Sequence, residues 1–424
     1  MTEFVMIVTL ISIWSSLLMS SITLGGAVHF WLEHSRKIVD IVPLKRYPLI
    51  TIVVPAHNEA VVIAQTTQAI LELNYPADKV ELLIFADNCN DQTAQRARTV
   101  LQLPKYKYEK RKAKVIERHG SGGKAGVLND ALKMAHGEYI GVYDADAMPE
   151  KNALYFLVRK ILENPTRYVA AFGRNKTRNA EQNFLTKCIN QEIVVTQRIQ
   201  HCAIWHLVKI GRIPGTNFII QSKYVRSIGG WANGALTEDT DISFKIMQSG
   251  KLIALAYNSE AFQQEPERLH DYYYQRLRWA KGNYQVVLKN FKYLFRKSNW
   301  RVKLEIFYYS CTFFWFNVGF WIVHLFNPQV MIPFTFGESN ILIAQLLLFN
   351  WLLMIILYIL QITIAAATQF GQATNKQIWL ALASYFTYSQ LFIIVSIHAV
   401  ISVALDRLLR RDGTKWVKTK RFAD

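Results

Sequence analysis

The chain has 424 residues, more than a typical single domain, and is 51% hydrophobic but only 19% charged. The apolar residues gather towards the two ends, so one soluble domain with membrane segments on both sides is expected. The net charge of +18 suits an anionic bilayer or a diphosphate ligand. Zinc-finger cysteine pairs and basic repeats with interleaved aromatics are both missing from the sequence, so we expect no nucleic-acid partner.

The N-terminal segment reads as a transmembrane helix over residues 1–33. Phe4 to Trp31 contain no Lys, Arg, Asp or Glu, and about 20 apolar residues suffice to span a bilayer. A cleaved signal peptide is the alternative, but the run is too long and lacks a positive start. Basic residues follow it, so the positive-inside rule predicts that the next segment is cytosolic.

The middle of the chain, residues 47–268, has the alternation of short β-branched runs and amphipathic stretches that is typical of βαβ units. We predict an α/β domain with a mainly parallel sheet and strands at Leu49–Val54, Val80–Phe85, Lys114–Glu117 and Tyr139–Tyr143. Ligands of open α/β sheets bind beyond the carboxyl ends of the strands. The polar clusters that follow these strands should therefore converge on one crevice.

The C-terminal part predicts a membrane region over residues 304–406 and a basic cytosolic tail over residues 407–424. Its apolar stretches, Ile306–Phe326, Ile341–Ala367 and Ile378–Leu405, are each long enough to cross a bilayer. Three crossings from the cytosol would place the tail outside, so one stretch is expected to be re-entrant or interfacial. The sequence does not show which one.

Polar clusters follow the first two predicted strands, where a nucleotide base and ribose would lie. Pro55-Ala-His-Asn-Glu59 follows the first and Asp87-Asn-Cys-Asn-Asp91 the second, although either loop taken alone is equally consistent with turn capping. A glycine-rich segment, Gly120-Ser-Gly-Gly-Lys124, then opens a predicted helix, so Lys124 could contact a phosphate. A surface glycine loop is the alternative.

Two further clusters carry carboxylates. Asp144 and Asp146 end the fourth strand, and on an extended chain both would face one cation, with Mg²⁺ or Mn²⁺ as the suitable ion. A chance Asp-x-Asp is the alternative. Thr237-Glu-Asp-Thr-Asp241 opens an amphipathic stretch, so Asp239 could be a helix cap or a general base.

The segment at residues 269–303 reads as an amphipathic helix at the membrane surface and contains Gln275-Arg-Leu-Arg-Trp279. Interfacial anchoring alone would account for its aromatic and basic residues. Trp279 could also stack on a sugar, and Arg278 offers a planar set of donors for diphosphate oxygens.

In this order, the motifs resemble those of inverting family 2 glycosyltransferases with the GT-A fold, and in particular the processive membrane synthases of cellulose, chitin, hyaluronan and poly-N-acetylglucosamine. The resemblance covers about Leu49 to Phe295. It implies an enzyme of the plasma membrane with a cytosolic catalytic domain, a UDP-sugar donor, a growing polysaccharide acceptor and a Mg²⁺ or Mn²⁺ cofactor. Whether a small membrane partner subunit takes part stays open.

The resemblance also implies residue roles. Asp239 would be the catalytic base, and Asp144 and Asp146 would bind the metal. The residues expected to bind the nucleotide sugar are Glu59, Asp87, Lys124, Asp144, Asp146 and Arg278. Those expected near the acceptor are Gly215, Thr216, Asn217, Glu238, Gln275 and Trp279.

Two rival functions are carried forward. One is a non-processive transferase that moves a sugar onto a lipid carrier. The other is a catalytically silent membrane subunit that binds polysaccharide or nucleotide, since a fold does not guarantee activity.

Overall fold

A computed structural model describes residues 2–34, 41–107, 111–311 and 341–409 of the chain. The chain divides into two compact units. The sheet unit contains Ile38–Ile193 and Val208–Val286, and the helical unit contains Met1–Lys37, Val194–Leu207 and Val287–Arg411. The sheet unit therefore extends past the predicted domain end at residue 268. Its interruption by Val194–Leu207 has no counterpart in the sequence prediction.

The sheet unit is built on one eight-stranded sheet with the order β3-β2-β1-β4-β7-β6-β8-β5. The strands are β1 (Ile50–Ala56), β2 (Val80–Asp87), β3 (Lys112–Arg118), β4 (Tyr139–Val142), β5 (Met148–Pro149), β6 (Tyr168–Thr177), β7 (Phe218–Gln221) and β8 (Leu252–Gln263). The four predicted strands are confirmed to within a few residues. Strands β1 to β4 pair in parallel, as β6 and β8 do, whereas β7 runs antiparallel to both neighbours and makes the sheet mixed.

The sheet is covered by helices whose apolar residues face it. The helices that begin in this unit are α2 (Ile63–Leu71), α3 (Thr93–Leu101), α4 (Pro104–Lys107), α5 (Gly123–Met134), α6 (Ala153–Leu162), α7 (Phe184–Val195), α9 (Ser222–Ser227), α10 (Glu238–Gln248) and α11 (Leu269–Asn290). Helix α5 packs on β1 and β2 through buried residues that include Val127, Leu128 and Ala131. This packing fixes the start of α5 at the carboxyl ends of the parallel strands.

The helical unit contains α1 (Thr2–His34), α8 (Cys202–Val208), α12 (Trp300–Ser310), α13 (Ile341–Phe370), α14 (Asn375–Phe386) and α15 (Tyr388–Leu408). A π-helical stretch, Thr196–His201, leads into α8. A buried cluster of Leu24, Ala27, Ile199, Ala203 and Ala365 packs these elements together. Small residues dominate it, which allows the helix backbones to approach closely.

Three segments of the described chain are long and apolar enough to cross a membrane, namely Ile11–His34, Leu348–Phe370 and Asn375–Leu408. They coincide with the N-terminal prediction and with the last two C-terminal ones. The last segment is interrupted at Thr387, whose φ of −123° and ψ of −77° leave the helical region and separate α14 from α15. The predicted stretch Ile306–Phe326 begins in α12, and its remainder lies outside the described residues, as does the basic tail beyond Leu409.

Candidate active site

Lys124 lies at the centre of a cluster of oxygen atoms in the sheet unit. Its Nζ is 2.5 Å from Asp144 Oδ1, 2.7 Å from the carbonyl oxygen of Gly215 and 3.6 Å from Glu238 Oε1. The cluster joins the start of α5, the end of β4, the loop before β7 and the first residue of α10. Residues that are far apart in sequence therefore meet at one ammonium group.

The charges of this cluster act on one another. Burial lowers the pKa of Lys124, but the negative charges of Asp144 and Glu238 outweigh it, so the pKa of Lys124 is raised and its ammonium stays protonated. Burial, reinforced by the charge of Glu238, raises the pKa of Asp239 to about 7. An aspartate with such a pKa exchanges its proton near neutral pH, as a general base must.

Asp239 lies in the first turn of α10 and next to Gly215. The Oδ1 of Asp239 accepts a 2.7 Å hydrogen bond from the amide of Thr240. A Cβ atom on Gly215 would lie 3.1 Å from Asp239 Oδ2 and 3.6 Å from Lys124 Nζ, and Gly215 has a φ of +83°. Glycine is needed here because its backbone is left-handed and lies against the carboxylate.

Asp144 and Asp146 lie in a turn after β4, not on an extended strand. The amide of Ala147 donates a 2.9 Å hydrogen bond to the Asp144 carbonyl, and β4 has already ended at Val142. The extended-chain argument for a shared face is therefore wrong. The Asp144 side chain is 36% exposed, whereas Asp146 is buried and its Oδ2 accepts a 3.4 Å hydrogen bond from the amide of Gln264. Their role as metal ligands stays a prediction.

Asp87 ends β2 and is held by Arg118, which the sequence did not single out. Arg118 donates from Nη1 to Asp87 Oδ1 at 2.6 Å and from Nε to Asp130 Oδ2 at 2.8 Å. Asp87 and Arg118 are partners in the parallel register of β2 and β3. Extending the predicted third strand by one residue would have paired them.

The loops after β1 and β2 are hydrogen-bonded to each other, as their shared position at the sheet edge predicts. The Glu59 amide donates to Thr93 Oγ1 at 2.7 Å, and the Asn90 amide donates to Asn58 Oδ1 at 2.7 Å. A further 2.7 Å hydrogen bond joins His57 Nδ1 and the Asp87 carbonyl. Glu59 and Asp87 thus belong to one loop pair.

Thr216 and Asn217 support the site from below its surface. The Thr216 hydroxyl accepts a 3.0 Å hydrogen bond from the Asp144 amide. Asn217 is 0% exposed and its side chain is bonded to Ser259 and to the Arg174 carbonyl. In this structure Asn217 therefore holds the loop in place and does not reach an acceptor.

Helix α11 carries Gln275, Arg278 and Trp279 and packs on the turn that holds Asp239. The Thr240 hydroxyl donates to Asn283 Oδ1 at 3.0 Å, and a Cβ atom on Gly282 would lie 2.5 Å from Thr237 Cγ2. Gln275 is buried, whereas Trp279 is 36% exposed.

Arg276, the unassigned residue of the motif, supports α11 from the side. Its guanidinium lies 4.4 Å from the Trp279 ring centroid, and its Nη2 lies 3.1 Å from a carboxylate oxygen of Glu192. These contacts orient the indole of Trp279. Sequence spacing alone gave no signal for them, because Glu192 lies on α7.

Comparison with known proteins identifies the family. Residues 51–227 match the model of glycosyl transferase family 2. The probable glycosyltransferase YdaM of Bacillus subtilis (strain 168) is 30% identical over 417 residues, which cover 98% of this chain and 97% of that protein. The chain belongs to glycosyltransferase family 2, so the predicted family is confirmed.

Two other relatives carry more specific names. A beta-monoglucosyldiacylglycerol synthase of Synechocystis is 29% identical over 62% of this chain and 53% of that protein. A poly-beta-1,6-N-acetyl-D-glucosamine synthase of Staphylococcus epidermidis is 23% identical over 85% of this chain and 84% of that protein.

A solved structure establishes the fold class. The mannosyltransferase PcManGT of Pyrobaculum calidifontis, in complex with GDP-Man and Mn²⁺, superposes with a TM-score of 0.58 at 18% identity, over 96% of this chain and 99% of that one. The predicted GT-A fold class is confirmed.

Proposed function

We propose that this protein is a processive β-glycosyltransferase that polymerises a UDP-activated sugar by inverting transfer. The observation that carries the proposal is the position of Asp239. Its carboxyl group has a pKa of about 7 and lies beside Lys124 and Gly215, on a turn packed against the helix that bears Gln275, Arg278 and Trp279.

The chemistry assigned to Asp239 is proton removal from the acceptor. As the acceptor oxygen attacks the anomeric carbon of the donor sugar, Asp239 takes the hydroxyl proton. The bond between that carbon and the UDP oxygen breaks, and its electron pair leaves with UDP. Attack opposite the leaving group inverts the anomeric centre, so an α-linked donor gives a β-linked product.

The donor diphosphate is assigned to Lys124 and Arg278. A protonated Lys124 at the start of α5 combines a positive charge with the amides of a helix N-terminus, both of which favour a phosphate. Asp87, held by Arg118, would meet the nucleoside, and Glu59 belongs to the loop pair beside it.

The donor set after β4 fits a hard divalent cation, because both side chains offer carboxylate oxygens within one turn and Asp144 is accessible. Asp144 and Asp146 would hold Mg²⁺ or Mn²⁺, which would supply positive charge to the departing diphosphate. Lys124 would move from Asp144 to the diphosphate as the donor enters, because one ammonium cannot fully serve both. These residue roles are part of the proposal.

The length of the product separates the proposal from its first rival. The relative named for poly-beta-1,6-N-acetyl-D-glucosamine synthesis covers 85% of this chain, and supports a polymer and UDP-N-acetylhexosamine as one donor to test, with UDP-glucose as the other. The relative named for glucosyldiacylglycerol synthesis supports transfer of a single sugar to a lipid. We favour the polymer because the similarity extends over most of the chain, including its apolar helices.

We further propose that the catalytic unit is cytosolic, that the chain spans the plasma membrane several times, and that the polymer leaves through the apolar helices. The three candidate spans support membrane insertion. A silent binding subunit is disfavoured because Lys124, Asp144, Glu238 and Asp239 are all present and in proximity.

The test supplies purified protein in lipid nanodiscs with each labelled UDP-sugar and Mg²⁺ or Mn²⁺, and measures product length. Chains of many sugars support the proposal, and a product that stops at one added sugar on a lipid supports the rival. Asp239→Asn should abolish transfer. Asp241→Asn is the matched control, since Asp241 lies in the same helix and faces Lys245 at 3.3 Å.

A further inference from the structure

A second cluster of ligand side chains lies in the helical unit. His29 and Glu33 lie one turn apart on α1, and His206 lies on α8. His29 Nδ1 is 3.6 Å from Glu33 Oε1, and His206 Nδ1 is 3.6 Å from Glu33 Oε2. One potential ligand atom from each of the three side chains lies within 4.8 Å of the other two.

The distances are suited to a bridging cation. Both nitrogen–oxygen separations of 3.6 Å exceed the usual hydrogen-bond length. In a tetrahedral zinc site with ligands at about 2.0–2.1 Å, two ligands are separated by about 3.4 Å. The side chains thus need to move by only a few tenths of an ångström to complete three corners of a tetrahedron, and a water would supply the fourth.

The two helices that carry the ligands are held together independently of any ion. The Trp31 indole donates a 2.8 Å hydrogen bond to the Arg198 carbonyl. A Cβ atom on Gly26 would lie 2.7 Å from Leu207 Cδ1, so the backbone of α1 lies very close to α8 at this point. The rings of His29 and His206 are 4.7 Å apart. The cluster is therefore preorganised, and a ligand would not have to assemble it.

The donor chemistry differs from that of the carboxylate site. Two imidazoles and one carboxylate suit Zn²⁺ and related transition metals, whereas Mg²⁺ prefers oxygen donors. The His29 and Glu33 side chains are 63% and 49% exposed, so an ion can reach them from solvent. We propose that His29, Glu33 and His206 form a Zn²⁺ site at the end of the candidate span Ile11–His34, where the ion would clamp α1 to α8.

The experiment measures zinc bound to the full-length protein in detergent, with an affinity tag that contains no histidine. Excess Mg²⁺ is present throughout, so that the hard-oxygen site after β4 is occupied. Elemental analysis after gel filtration should give about one Zn²⁺ per chain, and Co²⁺ should give the strong visible absorption of tetrahedral coordination. The melting temperature should rise with Zn²⁺, since the ion binds the folded state.

The variants decide where the ion binds. The double variant His29→Ala/His206→Ala should lose the zinc, the cobalt spectrum and the thermal shift. Glu33→Gln keeps the shape of the side chain and should weaken binding at least about tenfold, the smallest loss usual for partners that only support the ligands. His34→Ala is the matched control, because His34 ends the same helix and its Nδ1 contacts the Phe30 carbonyl at 2.7 Å.

Two outcomes would overturn the site. One is a parent protein that binds no Zn²⁺ and shows no thermal shift, which would make the cluster a metal-free set of ion pairs. The other is zinc binding of the parent strength in both the double variant and Glu33→Gln. Should the double variant fail to fold, Glu33→Gln alone decides. Sugar transfer is a separate readout, so failure of this site leaves the proposed activity untouched.

Discussion

The ammonium of Lys124 lies 2.5 Å from Asp144 Oδ1, and this ion pair ties the start of α5 to the turn after β4. The same ammonium is bonded to the Gly215 carbonyl at 2.7 Å. Together these contacts place a protonated lysine between the predicted metal ligands and the predicted base. The charge balance of the whole cluster therefore depends on one side chain.

Replacing Lys124 by Met should lower kcat/KM for the UDP-sugar by about 100-fold or more, the scale seen when one preorganised donor to a transition state is removed. The variant loses the diphosphate contact and leaves three carboxylates without their shared cation. Initial rates at several donor concentrations would measure the loss. Lys133→Met is the matched control, since Lys133 lies on the same helix and is 76% exposed. Equal losses in both variants would contradict the role of Lys124.

Activity should depend on pH through Asp239. The base must be ionised, and burial raises the pKa of Asp239 to about 7. Hence kcat/KM should be constant above that value and fall by about tenfold per pH unit below it. The profile of the donor reaction in the free-enzyme limit measures this limb. An ordinary aspartate would keep the rate constant down to about pH 4.

The variant Glu238→Gln identifies the group that titrates. After burial, the charge of Glu238 is the largest effect that raises the pKa of Asp239. Its removal should shift the acid limb towards lower pH, because ionised Asp239 then has one negative neighbour fewer. A limb that stays in place or moves to higher pH would show that the titrating group is not Asp239.

Arg118→Met should raise the KM for the UDP-sugar more than it lowers kcat. The side chains of Arg118 and Asp87 are 12% and 9% exposed, so loss of the guanidinium leaves the Asp87 carboxylate largely buried without its cation. Breaking such a pair destabilises a protein by about 3 kcal/mol or more, so the melting temperature should fall as well. Asp130→Asn removes only the outer partner of Arg118 and should have little effect on either quantity. A fall in kcat alone would contradict the assignment to the nucleoside site.

Gly282→Val should reduce both stability and kcat by displacing Thr237 and the turn that carries Asp239. A Cβ atom at Gly282 already comes within 2.5 Å of Thr237 Cγ2, and overpacking of this kind costs about 1–3 kcal/mol. Thermal unfolding and product assays would measure the two effects. At Gly25, a helical glycine with nothing within 4 Å of its built Cβ, substitution by Ala should be tolerated. Parent-like rates in Gly282→Val would show that α11 does not position Asp239.

The sequence was sufficient wherever local pattern decides structure. The continuous apolar run of Val80–Phe85 predicted a strand buried on both faces, and all residues of β2 are buried. Lys124 was predicted at the head of a helix from its glycines, and α5 begins at Gly123. Strand ends and helix starts follow from such signals.

What the sequence did not provide depends on contacts between distant segments. The Asp87–Arg118 pair needs the register of β2 and β3, and the approach of Gly215 to Asp239 needs the loop before β7 to reach α10. The turn at Asp144 was mistaken for extended chain because a strand pattern does not mark its own last residue. The passage of Val194–Leu207 into the helical unit is likewise a tertiary property.

The most direct test of the central claim is sugar incorporation by the purified protein and by its Asp239→Asn variant, with labelled UDP-N-acetylhexosamine and UDP-glucose in separate reactions. We predict that the parent converts one of these donors into chains of many β-linked sugars and that Asp239→Asn forms none, while still binding UDP. An Asp239→Asn variant as active as the parent, or a parent that consumes neither donor, would contradict the account.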